Sequence, residues 1–254
     1  MPQADERLAA LVAMSRELGE PANDCVILGE GNTSAIADAE SFYVKASGAQ
    51  LPGIDASGFV RVGFAPVREM LARQAMSDDE IREGLTAATV DGSGRRPSVE
   101  TFFHACLLEL EGVEFVGHTH PTAVNALLCS RLAKQAVAGR LFPDEVVYCG
   151  PESAWVPYTD PGLTLASAVR ESAERFIEKW HMAPRVMMVQ NHGMIALGTT
   201  PEQVLAATIT AVKAARVRLG AQVWGGLHPL TPEHLDRIFT RPDEKYRQDK
   251  LSGP

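Results

Sequence analysis

Positive charge is the first thing this sequence is short of. Its 24 lysines and arginines stand against 32 aspartates and glutamates, for a net charge of −8. That balance excludes a general nucleic-acid surface, which needs a basic face to neutralise phosphates. Local donors can still hold a small anion against the overall field. Cysteine is also sparse. Cys25, Cys106, Cys129 and Cys149 form no C-x-x-C pair, so neither a zinc ribbon nor a redox dithiol is encoded. They read as reduced, mostly buried thiols of a cytoplasmic protein. No run of about 18 apolar residues occurs, which excludes a membrane-spanning helix. The opening MPQADERLAALVAMSRELGE has no apolar core followed by a small-residue cleavage site, so no secretory leader is expected. The phosphate-loop pattern G-x-x-x-x-G-K-[ST] is absent. LGEGNTS fails as a dinucleotide loop, because Ser34 stands where the third glycine belongs and no clear helix follows.

What is present is an ordinary globular composition, 45% hydrophobic and 22% charged over 254 residues. No repeat or linker divides it, and one α/β domain spanning residues 1–254 is expected. Leu8, Leu11, Val12, Met14 and Leu18 recur at helical spacing near the N-terminus. CVILGEGNTSAIA reads as strand, glycine turn and strand, and SFYVKASG as a further strand ending at Ser47–Gly48. A helical pattern covers residues 66–84, and DGSGRR is a loop. Pro97 and Ser98 open a periodic helix whose buried face is Val99, Phe102, Phe103, Cys106, Leu107 and Leu110. EFVGHTHP is a short strand stopped by proline. EVVYC and RVMMVQ read as strands around the helix LTLASAVRESAERFIEKW. A long helix starts at Pro201, and the tail is partly helical at TPEHLDRIF before fraying.

Residues two apart on a strand share a face, so His118 and His120 in GHTHP converge on one point, as two ligands of a divalent ion do. A pair of strand-end histidines bonded at a surface explains H-x-H equally well. His192, after an apolar strand and before Gly193, offers a third imidazole, the number a catalytic zinc site takes while keeping a position open, although by itself Asn-His-Gly reads better as a plain turn. Glu100 falls in the first turn of its helix, where the dipole favours a carboxylate and where a proton carrier beside a metal is the functional alternative. His104, four residues on, resembles half of a metal pair, but its neighbours Phe102 and Phe103 favour a buried, satisfied histidine. Three loops suit an anion: GEGNTS with Asn32, Thr33 and Ser34; VKASG with Lys45, Ser47 and Gly48; and RRPS with Arg95, Arg96 and Ser98.

In order, GEGNTS, ASG, PSVETFFH, GHTHP and QNHG resemble the class II aldolase/adducin family, which includes fuculose-phosphate aldolase and ribulose-phosphate 4-epimerase. The resemblance runs from about residue 25 to 225. Its wording is nearest to the aldolase domain of rhamnulose-phosphate aldolase/dehydrogenase fusions, with no dehydrogenase domain expected in these 254 residues. It implies a single-domain, three-layer α/β/α sandwich and a cytoplasmic homotetramer with sites between subunits. It also implies one zinc-type divalent ion per chain held by His118, His120 and His192, with Glu100 as acid/base. Asn32, Ser47, Gly48 and Ser98 fall on the phosphate-binding loops. Tyr246, the tyrosine of the tail, is the expected second acid. The implied activity is a lyase cleaving a C–C bond of a sugar-derived hydroxy-carbonyl substrate, a ketose phosphate, through a metal-stabilised enediolate. Val99 replaces a serine that many sugar-phosphate members carry, which removes one phosphate donor. Decarboxylation or 4-epimerisation of a sugar acid or sugar phosphate uses the same step. Adducin is the family's non-catalytic member; a binding-only domain of that kind is the remaining alternative, and it would be expected to lose the ligand histidines, all three of which are present here.

Overall fold

The computed structural model describes residues 2–73, 75–90, 92, 94–243 and 246. Helix α1 (Pro2–Leu18) buries Leu11, Met14 and Leu18, as its spacing predicts. Strands β1 (Asn32–Ile36), β2 (Ser41–Lys45) and β3 (Phe59–Gly63) form an antiparallel meander. Helices α2 (Phe64–Leu71), α3 (Asp78–Ala87) and α4 (Thr101–Leu108) follow. Next come β4 (Phe115–Thr119), α5 (Thr122–Leu128), α6 (Ala133–Ala136) and α7 (Pro143–Cys149). The chain then runs through β5 (Ala154–Val156), α8 (Leu163–Trp180), β6 (Val186–Val189) and β7 (Gly193–Gly198). Helices α9 (Pro201–Ala221) and α10 (Pro232–Thr240) close it.

The strands make one seven-stranded sheet in the order β3-β2-β1-β4-β7-β6-β5, with β5–β6 its parallel pair. Strand residues alternate between two cores because successive side chains point to opposite faces. Val116 and Ile195 join Phe102, Phe103, Leu107 and Val169 under α4 and α8. Phe115 and Met194 join Leu11, Val124, Val204 and Ala211 under α1, α5 and α9. Helices on both faces of a mixed sheet are the three-layer α/β/α architecture the sequence implies. Each fully buried Phe or Leu contributes roughly 1.5–3 kcal/mol to holding the layers together. Among the described residues, no helix is long and apolar enough to cross a membrane.

Several elements differ from the sequence expectation. CVILG is no strand: β1 and β4 each have both edges taken, so no edge is left for it. It is an irregular loop with Leu28 at φ 51° and 74% exposed, held to the sheet where the His120 N–H donates to the Cys25 carbonyl. EVVYC lies within helix α7, started by Pro143 and carrying Asp144 and Glu145 in its first turn. A short apolar run cannot tell strand from helix by periodicity alone. The helical pattern over 66–84 is two helices, separated before the Ser77–Glu80 capping box. Strands β3 and β5 have no counterpart among the strands expected from the sequence. Helix α4 begins at Thr101, because residues 46 and 97 pair as a β-bridge and the Ser98 N–H donates to the Lys45 carbonyl. Val99, expected on the buried face, is exposed. Beyond α10 the described residues are 241–243 and 246, and the rest of the tail, where fraying is expected, lies outside the described residues.

Candidate functional site

The end of β4 places His118 and His120 on the α4 side of the sheet. His118 is fully buried, and its Nδ1–H donates to the Met194 carbonyl across the β4–β7 pair at 2.9 Å. That bond spends the ring's one hydrogen and leaves Nε2 bare, the orientation that ligating histidines show. His120 Nε2 lies 2.9 Å from His118 Nε2. His192 comes in from the β6–β7 turn, where Asn191 takes a left-handed conformation at φ 53°. The Asn125 side-chain amide donates to the His192 carbonyl at 3.0 Å. Two glycines make the approach possible. A Cβ on Gly193 would sit 2.5 Å from the Thr119 carbonyl oxygen and 2.6 Å from the His120 ring, and one on Gly31, at φ 66°, would meet the His118 carbonyl at 2.6 Å.

One nitrogen from each of the three rings lies within 4.8 Å of the others. A cation about 2.0–2.1 Å from each nitrogen needs them roughly 3.3 Å apart, so the observed spacing brackets a tetrahedral site. Burial, then the neighbouring His118 and His192 rings, pulls His120 down to about 3. Burial likewise lowers His118. Three imidazoles facing one point, each able to give up a ring proton in exchange for a cation, fit a divalent ion.

Glu100 stands at the N-cap position of α4, yet its side chain makes no capping bond. The carboxylate turns toward the histidines: Oε1 is 3.1 Å from His192 Nε2 and Oε2 is 3.6 Å from His118 Nε2. Burial pushes this carboxyl up, but His118, His192 and the Asn32 amide outweigh it and hold it well below the usual carboxylate range. The helix-capping explanation of Glu100 is therefore not what its geometry supports.

Asn32, on β1, donates from Nδ2 to Glu100 Oε2, with Ser98 Oγ at 3.5 Å. Its amide is committed to the carboxylate. Ser98 Oγ also accepts from the Glu100 N–H at 3.3 Å. Ser47 and Gly48 lie exposed in a turn after β2, where Ser47 accepts from the Arg96 guanidinium at 3.3 Å. Lys45, read as part of an anion loop, points inward: its Nζ donates to the Ala49 carbonyl at 2.6 Å and braces the turn. Burial lowers its pKa, opposed by Glu100. His104 is buried and bonded at both nitrogens, as its aromatic neighbours imply.

Tyr246 is 61% exposed, and the contacts described for Glu100 and the three histidines do not include it. Sequence reasoning missed Glu30, whose carboxylate lies 3.9 Å from His120 Nδ1. Its position within the quoted GEGNTS loop was the one available signal.

The Class II Aldolase and Adducin N-terminal domain profile matches residues 9–219. The chain belongs to this family. It is 28% identical over 221 residues, 84% of its length, to the uncharacterized oxidoreductase YuxG of Bacillus subtilis (strain 168). It spans only 30% of that relative's length. It is similar to the N-terminal class II aldolase domain of a conserved protein from Thermoplasma acidophilum, at 25% identity and TM-score 0.65, covering 83% of this chain and 92% of that one. The fold is also shared with YgbL, a putative aldolase/epimerase/decarboxylase from Escherichia coli, at 17% identity and TM-score 0.71, over 94% and 100% of the two chains.

Proposed function

We propose that this chain is a divalent-metal-dependent lyase that cleaves a C–C bond of a sugar-derived hydroxy-carbonyl compound by retro-aldol reaction. The observation that carries the reading is the Glu100 carboxylate 3.1 Å from His192 in a cluster of three converging imidazoles. His118, His120 and His192 would hold one cation per chain, Zn²⁺ by the nitrogen character of the set. Such a cation supplies Lewis-acid stabilisation of the negative charge that develops beside a carbonyl when the bond breaks. Glu100 gives a proton to the substrate carbon in cleavage and removes it in condensation. Asn32 orients that carboxylate, while Ser98 holds the Glu100 backbone N–H. Ser47, Gly48 and Ser98 face the anionic end of the substrate, a ketose phosphate in this reading. Tyr246 is the proposed second acid/base, taking the proton of the hydroxyl that becomes the aldehyde in cleavage and donating it to the aldehyde oxygen in condensation. The assembly is a homotetramer in the cytoplasm, and residues 1–254 act as one domain.

One observation favours a second reading. Val99 is exposed where a phosphate-binding serine is expected, and its branched side chain offers no donor. That suits an unphosphorylated sugar acid or β-keto acid, for which the same site would perform decarboxylation or epimerisation. Incubating metal-loaded protein with ketose 1-phosphates, hydroxy-keto acids and β-keto acids, with products read by mass, separates the two. Cleavage of a ketose phosphate into two carbonyl fragments supports the first reading, and loss of CO₂ from a keto acid replaces it.

A further inference from the structure

His104 has no place in the cluster of three imidazoles, yet the fold uses every polar atom of its ring. It is fully buried, stacked on Phe103 with centroids 4.6 Å apart. Nδ1 lies 2.6 Å from Ser34 Oγ, and Nε2 is hydrogen-bonded to Asn32 Oδ1. The direction of each bond follows from the far end of the chain of contacts. A Glu100 carboxylate only accepts, so Asn32 must present Nδ2–H to it. Asn32 Oδ1 then faces His104, and a carbonyl oxygen only accepts, so His104 Nε2 must carry the hydrogen. The Nδ1 of this neutral ring is therefore bare and accepts from the Ser34 hydroxyl. Ser34, His104, Asn32 and Glu100 form a line of three hydrogen bonds with one permitted direction.

We propose that His104 is a positioning residue for proton transfer. By donating from Nε2 to Asn32 Oδ1, it keeps the Asn32 amide from turning over. The amide then holds Glu100 Oε2, so Oε1, the oxygen beside His192, is the one that carries the substrate proton. This rests on the reading of Glu100 as the proton carrier. Without the His104 donor, a turned amide would set Oδ1 against the carboxylate, and the two acceptors would repel.

Two substitutions separate positioning from mere filling of space. Gln at this position places its N–H₂ near the site of Nε2 and keeps the donor to Asn32. Asn places its polar atoms near Nδ1, keeping the contact with Ser34 and losing that donor. Each leaves one buried partner unsatisfied, so a purely structural role predicts similar losses from both. The chain's asparagines are Asn23, Asn32, Asn125 and Asn191, few enough for a selectively ¹⁵N-asparagine-labelled spectrum of metal-free protein, with Asn32→Asp identifying the signal.

The expected result is a downfield, exchange-protected Asn32 amide proton in wild type and His104→Gln that is lost in His104→Asn. On the substrate the panel identifies, kcat falls about 10–100-fold in His104→Asn at unchanged KM and is restored to within a few-fold in His104→Gln. An amide signal that survives in both variants, or disappears from both, overturns the proposal. Should His104→Asn not fold, the ¹⁵N-histidine spectrum of wild type decides: the Nε2–H tautomer is expected, and an Nδ1–H ring overturns it. Full activity of Glu100→Gln would sink the proton-carrier reading instead, while the amide and ring spectra would still report on His104.

Discussion

Asn32 on β1 stands directly opposite His118 on β4 in the antiparallel ladder. Residues paired this way project from the same face of the sheet, and α4 covers that face with Glu100 at its start. This register puts the amide that holds the carboxylate beside the imidazole that faces the proposed cation. Neither strand alone makes the site. The pairing of residues far apart in sequence does.

The first consequence concerns the ion. Protein purified without chelator and then reloaded should hold about one divalent ion per chain by elemental analysis. His118→Ala combined with His120→Ala should abolish binding, because one imidazole and a carboxylate cannot hold the site against water. Full occupancy in that double variant would remove the ligand assignment.

Gly193 is expected to tolerate no side chain. An alanine Cβ would lie 2.5 Å from the Thr119 carbonyl oxygen and 2.6 Å from the His120 ring, so backbone or ring must move. Gly193→Ala should lower stability by about 1–3 kcal/mol, as overpacking does, and weaken metal affinity at the same time. Denaturant titration and metal titration of the one variant check both. An unchanged metal affinity would mean that the His120 ring is free to shift.

Acid stability carries a signature of His104. Burial, reinforced by the neighbouring His118, pulls its pKa to about 3, whereas an unfolded histidine titrates near about 6.5. Between these values the unfolded chain binds a proton that the folded ring refuses, so stability falls as pH falls. From pH 6.5 to 5, this one ring should account for about 2 kcal/mol. Urea denaturation of metal-free wild type and His104→Gln across this range should show the variant with the shallower pH dependence. Parallel curves would contradict the assignment.

Light scattering at micromolar concentration should show a homo-oligomer, and a tetramer is the expected state. A monomer would contradict the proposed assembly.

Much of this fold was legible because its helices are long and periodic: α1, α8 and α9 stand where Leu11, Val169 and Val204 place them. Strand β5 was hidden because it has three residues, too few to show alternation. CVIL misled because an apolar run can also be an irregular loop, here with Cys25 and Val26 buried and Leu28 exposed in a left-handed conformation. At the site, the H-x-H spacing left a metal pair and a surface pair equally open and Asn-His-Gly alone read as a turn, so it was the ordered set of motifs, through the family resemblance, that brought the three histidines together. The orientation of Glu100 was hidden. Its position at a helix start suggested capping, and only the β1–β4 register shows Asn32 and His118 drawing the carboxylate away from the helix. The pairing of Glu30 with His120 depends on the path of a loop that no periodicity encodes.

In the proposed reaction Glu100 moves the substrate proton within a metal site that it does not itself create. Glu100→Gln keeps the shape and an acceptor for the Asn32 amide but cannot carry the proton. The direct measurement is turnover by Glu100→Gln on the substrate the panel identifies, taken with metal content on the same sample. Turnover should fall about 10²–10⁴-fold with metal content near wild type, because His118, His120 and His192 remain. Near-normal turnover at full metal occupancy would contradict it.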